Sequence, residues 1–141
     1  VDGLGADLVV GTYNCYASDG EAYEVTVDVL GSGATEIGCI CAINEVVARG
    51  AARAVSDLGL SGSVKLAVFD SSQELIRFIE NGTVTVAVVQ KPFNMGYLAM
   101  KSAFDLIHYR NIPAETDTGI VIINKNNLFT PENQKLLFSF Q

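Results

Sequence analysis

The feature that most constrains the fold of this chain is a repeated alternation of short apolar runs with segments of helical spacing. Each run is followed by a polar turn and then by an amphipathic stretch, an order that is typical of βαβ units and a parallel sheet. The runs are apolar almost throughout, as expected for strands that are covered on both faces. We therefore predict four parallel strands, at residues 8–13, 37–43, 64–69 and 84–89.

Helix-capping residues lie between these runs. Ser18 and Ser71 each begin the Ser-x-x-Glu spacing of a capping box, and Asn44 directly follows the second run as a candidate N-cap. Pro92 disfavours helix at the residue before it. These signals predict helices over 45–58, 73–81 and 94–110, the first two followed by glycines at 59 and 82.

The last part of the chain contains one more apolar run and one more helix signal. The run covers residues 118–124, after Pro113. Thr130-Pro131-Glu132 then supplies an N-cap, a proline at the first helical position and an acidic first turn. We predict a fifth strand and a short C-terminal helix here.

Length and charge exclude several classes of function. A chain of 141 residues has room for one domain with a buried core. No apolar run reaches the roughly 20 residues that span a bilayer. The net charge is −7 and the nine Lys and Arg residues are scattered, whereas nucleic-acid binding needs clustered positive charge. A neutral small molecule is the better partner, and we expect no nucleic acid.

The residues that could carry catalysis lack their usual neighbours. His108 is the single histidine and lies late in the helix predicted over 94–110, far in sequence from any strand end, so a nucleophile has no evident base. We expect Cys15, Cys39 and Cys41 to be buried thiols that act as small hydrophobic groups. The Gly-Ser-Gly stretch at 31–33 precedes a strand and cannot cradle a phosphate. We predict a protein without enzymatic activity, cofactor or metal.

Polar side chains end three of the predicted parallel strands. Asn44, Asp70 and Gln90 directly follow the second, third and fourth runs, and ligands of open α/β sheets bind beyond the carboxyl ends of the strands. A carboxylate accepts hydroxyl protons, while a carboxamide both donates and accepts, so this set suits a polyhydroxylated ligand. Asn44 and Asp70 could instead be simple helix caps. Gln90 precedes Lys-Pro, where no helix needs a cap.

An aromatic ring often covers the apolar face of a bound sugar. Tyr16 lies in the loop just beyond the first predicted strand and is the best candidate for that role. Tyr13, Phe69 and Phe93 lie near the same strand ends. Aromatic side chains at such positions belong to the core more often than to a site.

Three stretches carry a resemblance to a known family. They are CAINEVVARGAARAV at 41–55, VKLAVFD at 64–70 and GTVTVAVVQKPFNMGY at 82–97. In this order and spacing they resemble the C-terminal half of type I periplasmic sugar-binding proteins, such as those for ribose, over residues 6–128. The resemblance implies parallel-sheet, flavodoxin-like βα units of one lobe. It also implies that Asn44, Asp70 and Gln90 are sugar ligands, with aromatic contact from the loop that holds Tyr16.

The resemblance also implies a division of the chain. Residues 1–90 would form a partial C-terminal ligand-binding lobe, 91–117 a hinge crossing and a helix that packs on the other lobe, and 118–141 the final crossing strand and C-terminal helix. Family members carry an N-terminal lobe, and then a strand and a helix with a sugar-binding arginine, none of which precedes Val1. We therefore expect a piece that is incomplete at its N-terminus, exposes apolar surface and can associate with itself.

The implied function is sugar binding between two lobes by hinge closure, as the substrate-binding component of an ABC transporter. The implied location is periplasmic or extracellular, with anchoring through a missing N-terminus as an option, and the implied protein partner is a membrane permease or a sensor. Two alternatives share the fold: the ligand core of a lactose-repressor-like regulator and an extracellular sensor domain. A small flavodoxin-like enzyme or receiver domain would need a phosphate loop or an acidic cluster, and we find neither in the sequence.

Overall fold

A computed structural model of the chain describes residues 8–31 and 37–138. Residues 1–7, 32–36 and 139–141 lie outside these ranges, and with them part of the Gly-Ser-Gly stretch at 31–33. The elements, in chain order, are α1 (Asp19–Gly31), β1 (Cys39–Ala42), α2 (Glu45–Asp57), β2 (Lys65–Phe69), α3 (Gln73–Asn81), β3 (Val86–Gln90), α4 (Pro92–Ile107), β4 (Ile120–Ile123) and α5 (Pro131–Phe138).

The strands form one sheet in the order β1-β2-β3-β4. The first three are parallel, with Ala42 opposite Val68 and Phe69 opposite Val88. The fifth apolar run forms β4, which is antiparallel to β3 and places Ile120 opposite Gln90. The predicted α/β class is confirmed, because α2 and α3 connect neighbouring parallel strands as crossover helices.

The prediction of a strand at residues 8–13 is wrong. This segment has no strand geometry, and the side chains of Leu8 and Val10 are 70% and 80% exposed. An apolar run gives strand propensity, but a strand forms only where a neighbour completes its backbone hydrogen bonds. Within the described ranges, β1 pairs with β2 alone and is an edge of the sheet. Three of the four predicted parallel strands therefore form.

The helix ends follow the capping signals closely. Ser18 Oγ accepts from the amide of Glu21 at 3.2 Å. Asn44 is the N-cap of α2, as predicted. The cap of α3 is Ser72, which accepts from the Leu75 amide at 3.3 Å, and not the predicted Ser71. Gly82 ends α3 in the left-handed conformation, with φ of 87°.

The fourth helix begins two residues earlier than predicted. Pro92 is the first residue of α4 and not a residue that precedes the helix. A proline fits this position because its ring fixes φ near the helical value and the first helical amide needs no partner. The helix ends at Ile107, before the predicted Arg110.

The core lies on one face of the sheet. Burial alternates along β2 and β3, and the inward side chains pack against α2 and α3. The largest fully buried side chains of the core are those of Leu66, Leu75, Ile79 and Ile123, with Leu128 before α5. This side-chain burial supplies most of the stability, at about 25 cal/mol for each Å² of apolar surface removed from water.

The opposite face of the sheet is open among the described residues. Cys39 and Cys41 lie on this face of β1 and are exposed, so the expectation that they are buried thiols is wrong. Ile120 and Ile122 of β4 are exposed as well. Cys15 is buried, as predicted. The three cysteines are free thiols.

Helix α1 packs on α2 at very short range. A Cβ atom at Gly50 would overlap the carbonyl oxygen of Asp19 and lie 2.9 Å from Ala22 Cβ. The Asp19 carboxylate accepts from Arg53 Nη2 at 2.9 Å, and the Tyr23 hydroxyl donates to Asp57 at 3.1 Å. Hydrogen bonding to the Asp57 carboxylate raises the pKa of Tyr23. A step of four residues along α1, from Asp19 to Tyr23, corresponds to a step of four residues along α2, from Arg53 to Asp57. The two helices therefore run in the same direction.

Helix α4 contrasts with the other long helices because none of its residues is buried. Its exposed apolar side chains include those of Phe93, Tyr97, Met100, Phe104 and Ile107. Among the described residues, no helix is long and apolar enough to cross a membrane.

Candidate functional site

Three polar residues lie at the carboxyl ends of the parallel strands. Asp70 directly follows β2, Gln90 is the last residue of β3, and Asn44 lies two residues after β1 ends. Because these strands are parallel neighbours in the order β1-β2-β3, the three residues share one edge of the sheet. The structure thus brings together three of the four residues that the sequence singled out.

Asp70 and Gln90 are in direct contact. Gln90 Nε2 donates to Asp70 Oδ1 at 2.8 Å, and the Asp70 amide donates to the carbonyl of Val88 at 2.9 Å. Asp70 has a left-handed backbone, with φ of 69°. Residues other than glycine rarely adopt this conformation, and such strained positions concentrate at functional sites. Ser72, not Asp70, caps α3, so the alternative role of Asp70 as a helix cap is excluded.

Asn44 is the N-cap of α2, which is the structural role that the sequence offered as an alternative to ligand binding. Its Oδ1 accepts from the Val47 amide at 2.9 Å, and its carbonyl accepts from the Ala48 amide at 2.9 Å. Capping uses the oxygen of the carboxamide and leaves the two N–H donors of the same group for other partners. Capping of α2 and contact with a ligand are therefore compatible at this residue.

Tyr16 is part of a strained loop before α1. Tyr16 and Ala17 both have positive φ, at 45° and 55°, and the Tyr16 amide donates to Asn14 Oδ1 at 3.0 Å. The Tyr16 side chain is 80% exposed and, within the described ranges, makes no hydrogen bond to Asn44, Asp70 or Gln90. The loop directly precedes α1, whose first residue, Asp19, accepts from Arg53 of α2.

A groove that the sequence did not indicate lies beside the carboxyl edge of the sheet, next to the end of β3. It has a volume of about 510 Å³ and lies between the first turn of α4 and helix α5. Its lining residues are Lys91, Pro92, Phe93, Asn94, Val121, Glu132, Asn133 and Leu136. The residues come from three separate elements, and no local sequence signal relates them. Within residues 8–31 and 37–138, no group of three or more His, Cys, Asp or Glu side chains could hold a metal ion.

The sequence matches one known protein family over most of its length. Residues 5–110 match the profile of the periplasmic binding protein domain, which is well over half of the chain. The chain belongs to the periplasmic binding protein family. No curated protein sequence matches this family member significantly.

Solved structures of this family are similar to the chain. An ABC transporter solute-binding protein from Agrobacterium vitis, with bound D-fucose, is 31% identical with a TM-score of 0.81, over 92% of this chain and 44% of that one. A carbohydrate transporter solute-binding protein from Agrobacterium radiobacter, in complex with D-arabinose, is 28% identical with a TM-score of 0.77, over 85% and 40%. The XylFII–LytSN complex contains a chain that is 30% identical with a TM-score of 0.70, over 84% and 41%.

These matches cover most of this periplasmic binding protein chain but less than half of each relative. The chain spans 44%, 40% and 41% of the lengths of the three matched structures. The mixed α/β architecture of the described elements, with its parallel-dominated sheet, matches the lobes of periplasmic binding proteins.

Proposed function

We propose that the full-length protein binds a small sugar between two lobes, as the substrate-binding component of an ABC transporter. The observation that carries this proposal is the hydrogen-bonded pair of Asp70 and Gln90, which shares the carboxyl edge of the sheet with Asn44. The membership in the periplasmic binding protein family supports it. So do the sugars in the similar structures, D-fucose and D-arabinose.

The chemistry of the pair suits adjacent hydroxyl groups. Gln90 uses one N–H on Asp70 Oδ1, which leaves its second N–H and its own carbonyl oxygen as a donor and an acceptor. Asp70 contributes Oδ2 as a charged acceptor, and hydrogen bonds to ionised groups are shorter and stronger than neutral ones. Two neighbouring hydroxyl groups of a sugar can therefore bind the pair, while Asn44 donates to a third oxygen.

The chain divides as the family resemblance implies. We assign residues 1–90 to part of the C-terminal ligand-binding lobe, 91–117 to a hinge crossing and a helix on the other lobe, and 118–141 to the final crossing strand and C-terminal helix. The exposure of α4 supports this division, because a helix with no buried residue and a row of exposed aromatic and methionine side chains needs a partner surface.

Ligand binding would work by closure of the two lobes. Contacts from both lobes form together only in the closed state, so the ligand raises the closed population by its differential affinity. No bond is made or broken, and we assign no enzymatic activity. Tyr16 would cover the apolar face of the sugar ring from its exposed loop.

The protein partner would be a membrane transporter permease. A sensor role is the alternative, and the match to a chain of the XylFII–LytSN complex, in which a relative assembles with a second protein, favours it over a regulator core. Both roles begin with the same sugar-binding step and a periplasmic or extracellular location.

A thermal-shift panel of monosaccharides against the full-length protein tests the proposal. We expect one sugar to raise Tm by several degrees, because a ligand that binds only the folded state stabilises it. Asp70→Asn keeps the side-chain shape but removes the charge, and it should abolish that shift. Asp28→Asn, on the exposed face of α1, is the matched control and should retain it. A full panel without a shift, or an unchanged shift in Asp70→Asn, would contradict the proposal.

A further inference from the structure

The groove between the first turn of α4 and α5 carries two opposite charges that do not pair with each other. Lys91 lines it on the α4 side and Glu132 on the α5 side. Within residues 8–31 and 37–138, neither side chain takes part in an ion pair. Lys91 is also half-buried, where an ammonium loses part of its hydration. Both charges are therefore available to a ligand in the groove.

The α4 side of the groove is a surface of hydrogen-bond donors. The helix begins at Pro92, which has no amide, and its N-cap residue Lys91 makes no side-chain capping bond. The first intrahelical bond runs from the Met95 amide to the Lys91 carbonyl at 3.0 Å, so the amides of Phe93 and Asn94 precede it. Two such amides at the positive end of a helix, together with an ammonium, suit a carboxylate.

The α5 side of the groove is a surface of acceptors. Glu132, Asn133 and Leu136 lie on one face of α5, as their spacing requires. Asn133 is only 7% exposed, and its Nδ2 donates to the Asn127 carbonyl at 2.8 Å. Its Oδ1 accepts no hydrogen bond from the part of the chain that the structure describes. A buried amide oxygen beside a carboxylate suits an ammonium.

The other lining residues are mostly apolar. Phe93 has a ring that is 75% exposed, and Val121 and Leu136 are half-buried. The volume of about 510 Å³ is in the range of small-molecule sites, which are commonly apolar with a few polar groups that fix the ligand. The groove thus combines a donor side, an acceptor side and an apolar surface.

We propose that this groove is a second binding site, which takes a zwitterionic amino acid with an apolar side chain. The ligand carboxylate binds Lys91 and the free amides of α4. Its ammonium binds Glu132 and Asn133, and its side chain packs on Phe93 and Leu136. None of the three candidate sugar ligands is among the lining residues, so the inference does not depend on the proposed sugar-binding function.

Isothermal titration calorimetry of the full-length protein with L-phenylalanine and L-leucine tests the proposal. We expect saturable binding of both. Two analogues of phenylalanine each lack one charge: 3-phenylpropionate has no ammonium, and 2-phenylethylamine has no carboxylate. Each should bind roughly tenfold more weakly or worse, because a hydrogen bond to a charged group contributes more than a neutral one.

Two variants remove the charges of the groove one at a time. Lys91→Met keeps the length of the stem and removes the ammonium, and Glu132→Gln keeps the shape and removes the negative charge. Each should raise the Kd for L-phenylalanine by roughly tenfold. Lys135→Met is the matched control, because Lys135 is exposed on α5 and is not a lining residue. It should leave this Kd unchanged.

Asp70→Asn separates the groove from the edge of the sheet and should also retain the Kd for L-phenylalanine. Loss of amino-acid binding in that variant would place the ligand at the sheet edge and overturn the proposal. So would the absence of binding by both amino acids, or a wild-type Kd in either Lys91→Met or Glu132→Gln.

Discussion

At the scale of single residues, Asp70 combines two properties that a structural residue at a strand end would not need. It has a left-handed backbone and a carboxylate that accepts a hydrogen bond from Gln90. Aspartate tolerates this conformation better than most residues. Glycine would relieve the backbone entirely, whereas the proposed sugar-binding function requires the carboxylate of Asp70.

The helix caps give a second test at this scale. Ser72→Ala removes the acceptor for the Leu75 amide and should lower the free energy of unfolding by about 1 kcal/mol. Chemical denaturation measures this difference. Ser71→Ala is the matched control, because the cap of α3 is Ser72 and replacement of its neighbour should have little effect. Equal losses for the two variants would show that the assignment of the cap is wrong.

Sequence reasoning succeeds here where the signal is local. The capping patterns at Asn44, Gly82 and the serine at 18 involve only three or four neighbouring residues, and all three caps occur as predicted. At α3 the capping-box spacing selected Ser71, which has Glu74 three residues later, but the adjacent Ser72 is the residue whose Oγ accepts from the Leu75 amide. A second serine next to the predicted cap is itself a favoured N-cap residue, so the local pattern could be wrong by one position. The contact of Asp70 with Gln90 was indicated only by their shared sheet edge.

At the scale of elements, the contact between α1 and α2 depends on Gly50. Gly50→Ala would drive a methyl group into the carbonyl of Asp19 and into Ala22, so the helices must separate. We expect a loss of about 1–3 kcal/mol in the free energy of unfolding, the usual cost of overpacking. Denaturant unfolding measures it.

Gly96→Ala is the matched control for this prediction. Gly96 lies inside α4, and a methyl group added there would meet no atom of another element within 4 Å. The substitution should be neutral or stabilise by up to about 1 kcal/mol through helix propensity. If both substitutions have the same effect, close packing at Gly50 does not hold the two helices together.

Helix α4 carries a pH-dependent ion pair on its exposed surface. Hydrogen bonds from Lys101 and then from Arg110 lower the pKa of Asp105 below its ordinary value of 3.8. A lowered pKa means that the carboxylate stabilises the folded helix above pH 3.8, and that this contribution is lost as the pH falls through the lowered pKa. An NMR titration of the Asp105 carboxyl should therefore show a midpoint below 3.8.

The same titration in Lys101→Ala is the decisive comparison. Removal of the 2.7 Å contact between Lys101 Nζ and Asp105 should move the midpoint upward. Lys65→Ala, in β2 and far from α4 in the sequence, should leave it unchanged. A midpoint that does not respond to Lys101→Ala would contradict the assigned cause of the lowered pKa.

One predicted strand, at residues 8–13, does not form, because a strand needs a neighbouring strand to complete its backbone hydrogen bonds. The runs at 37–43, 64–69 and 84–89 form strands because each has a partner strand in the sheet. The run at 8–13 has the same apolar composition and remains unpaired among the described residues. The antiparallel direction of β4 could not be read from its sequence either, because an apolar run has no direction.

At the scale of the whole molecule, two apolar surfaces remain open in the described ranges. One is the face of the sheet that includes Cys39, Cys41 and Ile122, and the other is the surface of α4. Parallel sheets are normally covered on both faces, and the matched structures are more than twice as long as the part aligned with this chain. Both surfaces therefore fit a chain whose longer relatives supply more polypeptide around the same lobe.

The family could be recognised from the sequence because its motifs follow the strand ends that the fold brings together. Asn44, Asp70 and Gln90 are far apart in the chain, yet parallel strands place them at one edge. The groove between the first turn of α4 and α5 could not be predicted, because its lining residues come from separate elements that no local sequence signal relates.

The most direct test of the central claim is a crystal structure of the full-length protein with the sugar selected by the thermal-shift panel. We predict sugar hydroxyl groups at hydrogen-bonding distance, about 2.7–3.2 Å, from the side chains of Asn44, Asp70 and Gln90, enclosed between two lobes. A sugar bound away from this edge of the sheet, with no contact to Asp70 or Gln90, would contradict the account.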